Sequence, residues 1–419
     1  MRPASSPASS SAQQRRSAVL RPRDQFADVG RCRSTGQAVR LCYNTFGAAT
    51  SPSVVLIMGL ASPGHFWDDR LCTTLALSGP YHVIRFDNRD VGCSTHLDSG
   101  AGGAAAAAGS TSYLRYAYAV LRPGTRTIAE VYTLGDMAAD VFGLLDALHI
   151  HAAHLVGSSM GGTIAQCMAL SNPERVLSLS LLSTHSSAPT TQWPSLRDMM
   201  SFISLMPKST SAKYANRIAR AATPEERQRL CTERDAERVR VYAASFTTLL
   251  EKLAGDTTKY PFDRVAAQRQ MVRIFHRSLY VNGGPRQFLA LLNAPSRDEP
   301  LRQRITGVAP APGSGGGAAA SAPLYVPTIV LHGDRDPLVP AANARHLASV
   351  IPGSRLFMVE GMGHTLIPAL RDTYVRILRD NIRAGEAAAR RPGRQAELAA
   401  AAAASSSAKA QVGKAASRL

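Results

Sequence analysis

The chain has 419 residues, of which 45% are hydrophobic and 19% are charged, a composition typical of globular proteins. Its formal charge is +18, but residues 1–23 carry five arginines and no acid, and residues 383–419 carry seven basic residues against two glutamates. Because the remaining charge forms no basic stripe interleaved with aromatics, the sequence argues against nucleic-acid binding.

The cysteines and the apolar runs indicate the class of protein. None of the six cysteines forms a C-x-x-C pair, so we interpret them as free thiols in a reducing compartment. No apolar run reaches the roughly 18 residues needed to span a bilayer. The N-terminus lacks the apolar core of a secretory signal. We therefore expect no transmembrane segment.

The first part of the chain alternates short apolar strands with helical patterns. Residues 1–24, rich in Ser, Pro, Ala and Arg, are expected to form a disordered leader. The patterns then predict an antiparallel strand at 39–45, buried strands at 53–58 and 81–86, a flexible insertion at 99–112, a helix at 134–148, a strand at 154–157, a helix at 161–170 and a strand at 176–182. This alternation predicts parallel βαβ units with helices on both faces of one sheet. The sequence thus predicts an α/β core whose first part is residues 25–186.

The alternation breaks at residue 187. Residues 187–322, the inserted segment, show amphipathic, Arg-rich helices and no convincing core strand, and end in a Gly/Ala/Pro stretch at 309–322. We expect this segment to form a helical lid over the mouth of the site and to set substrate choice.

Strand patterns resume after the inserted segment. They lie at 326–331 and 355–359, and a final helix is expected at about 366–383. The sequence therefore predicts a second part of the core at 323–384, followed by a disordered Ala-rich tail at 385–419.

A nucleophile motif follows the strand at 154–157. The stretch HLVGSSMGG carries G-x-S-x-G at Gly157, Ser159 and Gly161. The motif requires a strand that turns sharply into a helix, so that only small residues fit beside the exposed serine hydroxyl. An apolar strand precedes it and a helical pattern follows, so Ser159 is predicted to be the nucleophile.

A serine nucleophile needs a base and an orienting carboxylate. Asp336 follows one late strand and His364 follows the next, in the order serine, acid, histidine. Asp334 competes for the acid role; we favour Asp336, at the tip of the strand-end turn, and expect Asp334 to cap that turn. Glu360 is a further alternative acid, but it directly ends a strand.

The oxyanion of the reaction needs two donors. One is expected to be the N–H of Met160, the residue after the nucleophile. The other is expected from the loop after the strand at 53–58, where Gly59 lets the backbone turn and Leu60 offers its N–H.

Two other polar stretches are discounted. The run from His149 to His154 is similar to the H-x-H-x-D-H metal signature but has Ala153 in place of the aspartate, so no metal site is expected. The stretch from Asp87 to Asp90 could be a cation site, but we favour a hydrogen-bonded turn after a strand.

These residues carry a resemblance to a known family. Over roughly 36–384 the chain resembles the α/β-hydrolase superfamily, and within it the branch that includes the polyketide methylesterases and their uncharacterised relatives. The matching stretches are LIMGL at 56–60, VIRFDNRDVGCS at 83–94, DMAADVFGLLDAL at 136–148, HLVGSSMGGTIAQ at 154–166, PTIVLHGDRDPLVP at 327–340 and VEGMGH at 359–364. The resemblance implies a Ser159, Asp336 and His364 triad with Leu60 and Met160 as oxyanion donors, in agreement with the spacing.

The predicted function is hydrolysis of a small carboxylic ester through an acyl-enzyme on Ser159, with no metal or organic cofactor. Within enzymes, the alternatives are a lactonase, a thioesterase, a carbon–carbon hydrolase and an acyltransferase. A non-catalytic binding module on the same fold is the alternative from another class.

The last three residues suggest a location. Ser417, Arg418 and Leu419 are similar to the S-K-L peroxisomal address, with Arg in place of Lys. They predict recognition by the peroxisomal import receptor and a location in peroxisomes or glycosomes. The alternatives are the cytoplasm or, because the leader is Arg- and Ser-rich and poor in acids, the mitochondrion.

Overall fold

A computed structural model of the chain describes residues 22–97, 131–205, 211–280, 283–308 and 324–396, with positions 398, 399 and 403. The predicted insertions at 99–112 and 309–322 lie outside the described residues, as does the address at Ser417–Leu419. Of the predicted leader, only 22–24 are described, and there Asp24 forms a 2.8 Å ion pair with Arg277. Folded structure therefore includes at least one residue of the predicted leader.

An eight-stranded sheet forms the centre of the fold. In spatial order its strands are β1 (Gln25–Arg31), β2 (Ala38–Phe46), β4 (His82–Phe86), β3 (Ser53–Ile57), β5 (Ala153–Ser158), β6 (Val176–Leu182), β9 (Thr328–Gly333) and β10 (Arg355–Val359). β2 runs antiparallel to both of its neighbours, β1 and β4, and the other neighbouring pairs of this sheet are parallel. β3, β4, β5 and β9 are buried at every residue, as parallel strands covered on both faces are.

Helices cover both faces of the sheet. On one face α2 (Leu134–Ala147), α3 (Met160–Ser171) and α10 (Ala342–Val350) share a core with Val55 and Ile57. On the other, α1 (Asp69–Leu77) and α11 (Arg371–Ala389) share a core with Val54 and Leu56. Successive residues of β3 thus alternate between two apolar layers, which is the period of a strand buried on both sides.

The inserted segment is helical and lies in sequence between β6 and β9. Its helices are α4 (Leu196–Leu205), α5 (Ser211–Ala219), α6 (Pro224–Leu253), α7 (Arg264–Arg277), α8 (Gly284–Leu292) and α9 (Asp298–Arg304). Two strands of two residues each, β7 (Ile305–Thr306) and β8 (Leu324–Tyr325), form a separate parallel pair. The sequence did not predict this pair, because a strand of two residues is too short to show an alternation of apolar and polar residues.

The final helix corrects the predicted boundary of the tail. We expected disorder from residue 385, but α11 continues to Ala389, and both Gly385 and Ala388 are buried. Arg394 is also buried and donates to the carbonyl oxygens of Pro173 and Val176 at 2.9 and 3.0 Å. The alanine-rich composition misled the prediction, because alanine fits both a flexible tail and a closely packed helix.

The described residues include no helix that is long and apolar enough to cross a bilayer.

Candidate active site

The predicted site residues follow strands whose carboxyl ends meet at one edge of the sheet. Three backbone hydrogen bonds join these ends: from Ser159 N to Leu182 O at 2.8 Å, from Ser183 N to Leu331 O at 2.9 Å, and from Asp334 N to Val359 O at 3.2 Å. The loops after β5, β6, β9 and β10 are therefore neighbours. This edge is where parallel α/β sheets place reactive groups.

Ser159 occupies a strained turn between β5 and α3. Its φ of 55° and ψ of −124° lie in a backbone region that residues other than glycine rarely adopt. A Cβ at Gly157 would lie 2.3 Å from Gly161 O, and one at Gly161 would lie 2.1 Å from Ile57 O. The two glycines of the motif are therefore required by space.

The carbonyl oxygen of Ser159 fixes the nucleophile's backbone. It accepts hydrogen bonds from the Thr184 hydroxyl at 2.7 Å and from the N–H of Gly162 at 2.9 Å. Met160 is buried and begins α3, so its N–H belongs to the first turn, where helix N–H groups lack partners within the helix. Sequence reasoning missed Thr184, which follows β6 and carries no motif.

Asp336 and His364 are in direct contact. Nδ1 of His364 donates to Oδ2 of Asp336 at 2.8 Å, and Oδ1 of Asp336 accepts the N–H groups of Leu338 and Val339 at 2.9 and 2.8 Å. A carboxylate on Nδ1 fixes the tautomer that presents Nε2 as the free basic nitrogen. The structure thus brings together two of the predicted triad residues, on the loops after β9 and β10.

A second histidine contacts the same carboxylate. Nε2 of His332, in β9, lies 2.8 Å from Val339 O and 3.3 Å from Oδ2 of Asp336. Burial alone raises the pKa of Asp336, but His364 and His332 outweigh this effect and hold the pKa well below its usual range. Asp336 is therefore ionised at neutral pH. The sequence reading did not assign His332 a role, although it lies four residues before Asp336.

The two alternative acids are engaged elsewhere. Oδ1 of Asp334 accepts the Gly361 N–H at 2.7 Å, so Asp334 links its turn to the loop after β10. Glu360 has a side chain that is 82% exposed and forms a 3.0 Å ion pair with Lys259 of the inserted segment. Of these carboxylates, Asp336 is the one that contacts His364.

The loop that bears His364 rests on the end of α6. The N–H of His364 donates to Leu253 O at 2.7 Å, and the N–H of Gly363 donates to Ala254 O at 3.0 Å. A Cβ at Gly363 would lie 2.2 Å from Leu253 O, so this close approach needs glycine. The inserted segment therefore supports the backbone of the predicted base.

The predicted oxyanion loop after β3 lies against the nucleophile. A Cβ at Gly59 would lie 3.0 Å from the Cβ of Ser159 and 3.5 Å from its Oγ, which places the start of the loop at the serine hydroxyl. Leu60 follows directly and is partly exposed. Asn88 donates from Nδ2 to Met58 O at 2.9 Å and fixes the end of β3.

The stretch from Asp87 to Asp90 anchors the inserted segment. Asp87 accepts the N–H groups of Gly64 and Cys93, as expected of a hydrogen-bonded turn. It also pairs with Arg277 of α7 at 2.7 Å, and Asp90 pairs with Arg286 of α8 at 2.8 Å. The sequence predicted the turn but not these arginines, which lie far away along the chain.

No arrangement typical of a metal site is present among the residues that the structure describes. In the metal-like run, His154 is buried within β5 with Nδ1 2.9 Å from the Ser178 hydroxyl, whereas His149 and His151 are exposed. His154 therefore lies inside a buried strand, whereas His149 and His151 precede that strand at the surface.

A family described as the alpha/beta hydrolase fold matches residues 52–368 of the chain. Rhodomycin D methylesterase DnrP from Streptomyces peucetius is 27% identical over 347 residues, which are 81% of this chain and 93% of DnrP. Rhodomycin D methylesterase DauP from Streptomyces sp. (strain C5) is 28% identical over 347 residues, again 81% of this chain and 93% of the relative.

A solved structure shows the same fold. The esterase RhEst1 from Rhodococcus sp. ECU1013 is similar with a TM-score of 0.53 at 20% sequence identity. The similarity covers 86% of this chain and 98% of that chain.

Proposed function

Since the chain belongs to the alpha/beta hydrolase fold family, we propose that it is a serine hydrolase that cleaves a small carboxylic ester. The observation that carries the proposal is the 2.8 Å hydrogen bond from His364 to the buried, ionised Asp336, at the same sheet edge as the strained Ser159. These are the groups that acyl transfer by a serine requires, in the chain order of this family.

In the proposed mechanism, Oγ of Ser159 attacks the ester carbonyl while Nε2 of His364 takes its proton. The N–H groups of Leu60 and Met160 stabilise the oxyanion, and His364 then protonates the departing alcohol. Water, deprotonated by His364, attacks the acyl-enzyme, and the carboxylic acid and free Ser159 result. Asp336 stays ionised throughout and stabilises the imidazolium.

The substrate class that we propose is an alkyl ester of a small organic acid, with methyl esters first. This choice rests on the two methylesterases, which align with this chain over 93% of their own length. A methyl ester has a small leaving group, so recognition would lie mainly with the acyl part, next to the oxyanion loop and the inserted segment.

The first experiment tests the nucleophile with a fluorophosphonate probe. Wild-type protein should be labelled on Ser159, which mass spectrometry of the modified peptide would locate, and Ser159→Ala should not be labelled. The control is Ser158→Ala, which changes the neighbouring serine, at the end of β5. Equal labelling of Ser159→Ala and wild type would refute the assignment.

The second experiment is a substrate panel. We expect turnover of methyl and longer alkyl esters that disappears in Ser159→Ala. The panel includes lactones, thioesters, carbamates and vinylogous diketone acids, because the same triad supports their cleavage. A preference for one of these would keep the nucleophile and revise the substrate class. Absence of both labelling and turnover would favour a binding module.

A further inference from the structure

A glutamine of the inserted segment contacts the loop that bears the proposed oxyanion donor. Gln287 lies in α8 and is fully buried, with 0% of its surface exposed. Its Oε1 accepts the N–H of Ala61 at 2.8 Å, and its Nε2 donates to Arg89 O at 2.8 Å. Both polar atoms of the side chain are therefore used, each by the backbone of a different loop of the core.

The contact falls on a short turn with an unusual backbone. Ala61 has a φ of 52°, which a residue with a side chain rarely adopts. Within the turn, the hydrogen bond from the N–H of Ser62 to Gly59 O is long, at 3.3 Å, and therefore weak. Since β3 has already ended at Ile57, the sheet does not fix these residues, and contacts from outside the strand hold the turn.

The peptide unit that Gln287 holds is adjacent to the proposed donor. In the peptide between Leu60 and Ala61, the N–H points to Gln287 and the carbonyl oxygen accepts the Ser62 hydroxyl at 3.0 Å. Holding this plane from both sides restricts ψ of Leu60. The N–H of Leu60 lies on the other side of the same Cα, so its direction relative to this plane is set by ψ together with φ of Leu60. Loss of the Gln287 bond would let the donor rotate away from the oxyanion.

Gln287 is itself held firmly. The preceding Arg286 forms two hydrogen bonds to Asp90 at 2.8 and 2.9 Å, and both side chains are buried. At the start of α8, a Cβ on Gly283 would lie 1.9 Å from Asp90 O, and one on Gly284 would lie 3.1 Å from the Cβ of Ala61. The helix thus begins directly against the oxyanion loop, with no room for a longer side chain.

We propose that Gln287 is a positioning residue that aligns the N–H of Leu60 for oxyanion stabilisation. The inserted segment would then contribute to the chemical step. This inference rests on the proposed serine hydrolase function. Because the oxyanion exists only in the transition state and the tetrahedral intermediate, the effect belongs to kcat and not to ground-state binding.

The test is Gln287→Met, which keeps the length of the side chain and removes both hydrogen bonds. We expect kcat to fall on the order of 10- to 100-fold, less than for loss of a whole donor, while KM changes less than about threefold. A trifluoromethyl ketone, which forms a hemiketal oxyanion on the serine, should bind more weakly by the same factor as kcat. End-point titration with the fluorophosphonate counts correctly folded sites and corrects for material that fails to fold.

The matched control is Gln270→Met in α7. Nε2 of Gln270 also joins the inserted segment to a core carbonyl at 3.2 Å, but this carbonyl belongs to His65, beyond the turn at 59–62 that Gln287 holds. Gln270→Met should keep kcat and trifluoromethyl ketone affinity within about twofold of wild type. Equal losses in both variants would assign the effect to general loosening and overturn the inference.

Two further outcomes are distinguishable. An active wild type with unchanged kcat and ketone affinity in Gln287→Met would overturn the role of Gln287 and leave the proposed function intact. A wild type that is neither labelled nor active on any ester would overturn the proposed function, and the inference with it.

Discussion

The carboxylate of Asp336 has donors on both oxygens, two backbone N–H groups on Oδ1 and His364 and His332 on Oδ2. The sequence could predict Asp336, because its distance from a strand end is a local property. It could not predict the second histidine's contact, since that depends on how the loop folds back onto β9. Contacts of this kind decide how strongly the acid is held ionised.

Asp336→Asn and Asp334→Asn separate the two carboxylates. Asp336→Asn should lower kcat on the order of 10⁴-fold, because an amide cannot hold His364 in the tautomer that accepts the serine proton. Asp334→Asn should lower it less than about tenfold, since an amide oxygen can still accept the Gly361 N–H. Steady-state kinetics on the best ester of the panel give the comparison, and the reverse ranking would show that Asp334 is the acid.

Because His154 is buried, we expect the free energy of unfolding to fall in acid. Burial in β5 lowers its pKa from 6.5 to about 3. Between these values the unfolded chain binds a proton that the folded chain does not, so stability falls as the pH drops from about 6.5 towards 3. The slope is up to about 1.4 kcal/mol per pH unit for this one group.

Urea unfolding at pH 7 and pH 5 measures this effect. His154→Gln should lose about 2 kcal/mol less than wild type over this interval, because its amide does not titrate. His151→Gln, in the exposed part of the same run, should behave like wild type. An identical loss in all three proteins would contradict the role of His154.

At the scale of elements, three parts of the inserted segment hold three loops of the candidate site. The end of α6 carries the backbone of the His364 loop, α7 pairs with Asp87, and the start of α8 contacts the oxyanion loop. The sequence predicted helices here because the spacing of apolar residues that marks a helix lies within the helix itself. The contacts that attach these helices to the core are made by single residues, which form no repeating sequence pattern. The sequence therefore could not reveal where the helices attach.

The ion pair between Arg286 and Asp90 should be the strongest of these attachments. Arg286→Met leaves a buried carboxylate without its partner, which typically costs about 3–5 kcal/mol. Arg302→Ala breaks the exposed pair with Glu299 in α9 and should cost less than about 1 kcal/mol. Urea denaturation followed by circular dichroism gives both values, and comparable losses would mean that burial does not strengthen the Arg286 pair.

The central sheet was the most predictable part of the whole molecule. Its parallel strands are short runs of β-branched residues whose burial needs no knowledge of the partner, and Val176–Leu182 and Arg355–Val359 were predicted with the bounds that the structure has. The edge strand β1 was not predicted, because exposed positions and a bulge between Asp28 and Gly30 interrupt its pattern. The C-terminal boundary was wrong, because tertiary contacts override composition there.

Two shortened chains test that boundary. A chain ending at Ala396 keeps α11 and Arg394 and should be nearly as stable as the full chain. A chain ending at Ala384 loses the last turn of α11 and two hydrogen bonds of a buried guanidinium, and should be less stable by about 3 kcal/mol. Thermal unfolding compares them, and equal melting temperatures would restore the boundary at 384.

The threading of the chain has a consequence during synthesis. β6 and β9 are hydrogen-bonded neighbours, yet about 145 residues separate them. At about 5–20 residues per second, the ribosome needs on the order of ten seconds to deliver β9 after β6 has emerged. Throughout that interval the apolar β6 has an unpaired edge, which can pair with another nascent chain. We therefore expect the yield of native protein to depend on translation speed between Leu182 and Thr328 more than anywhere else in the coding sequence.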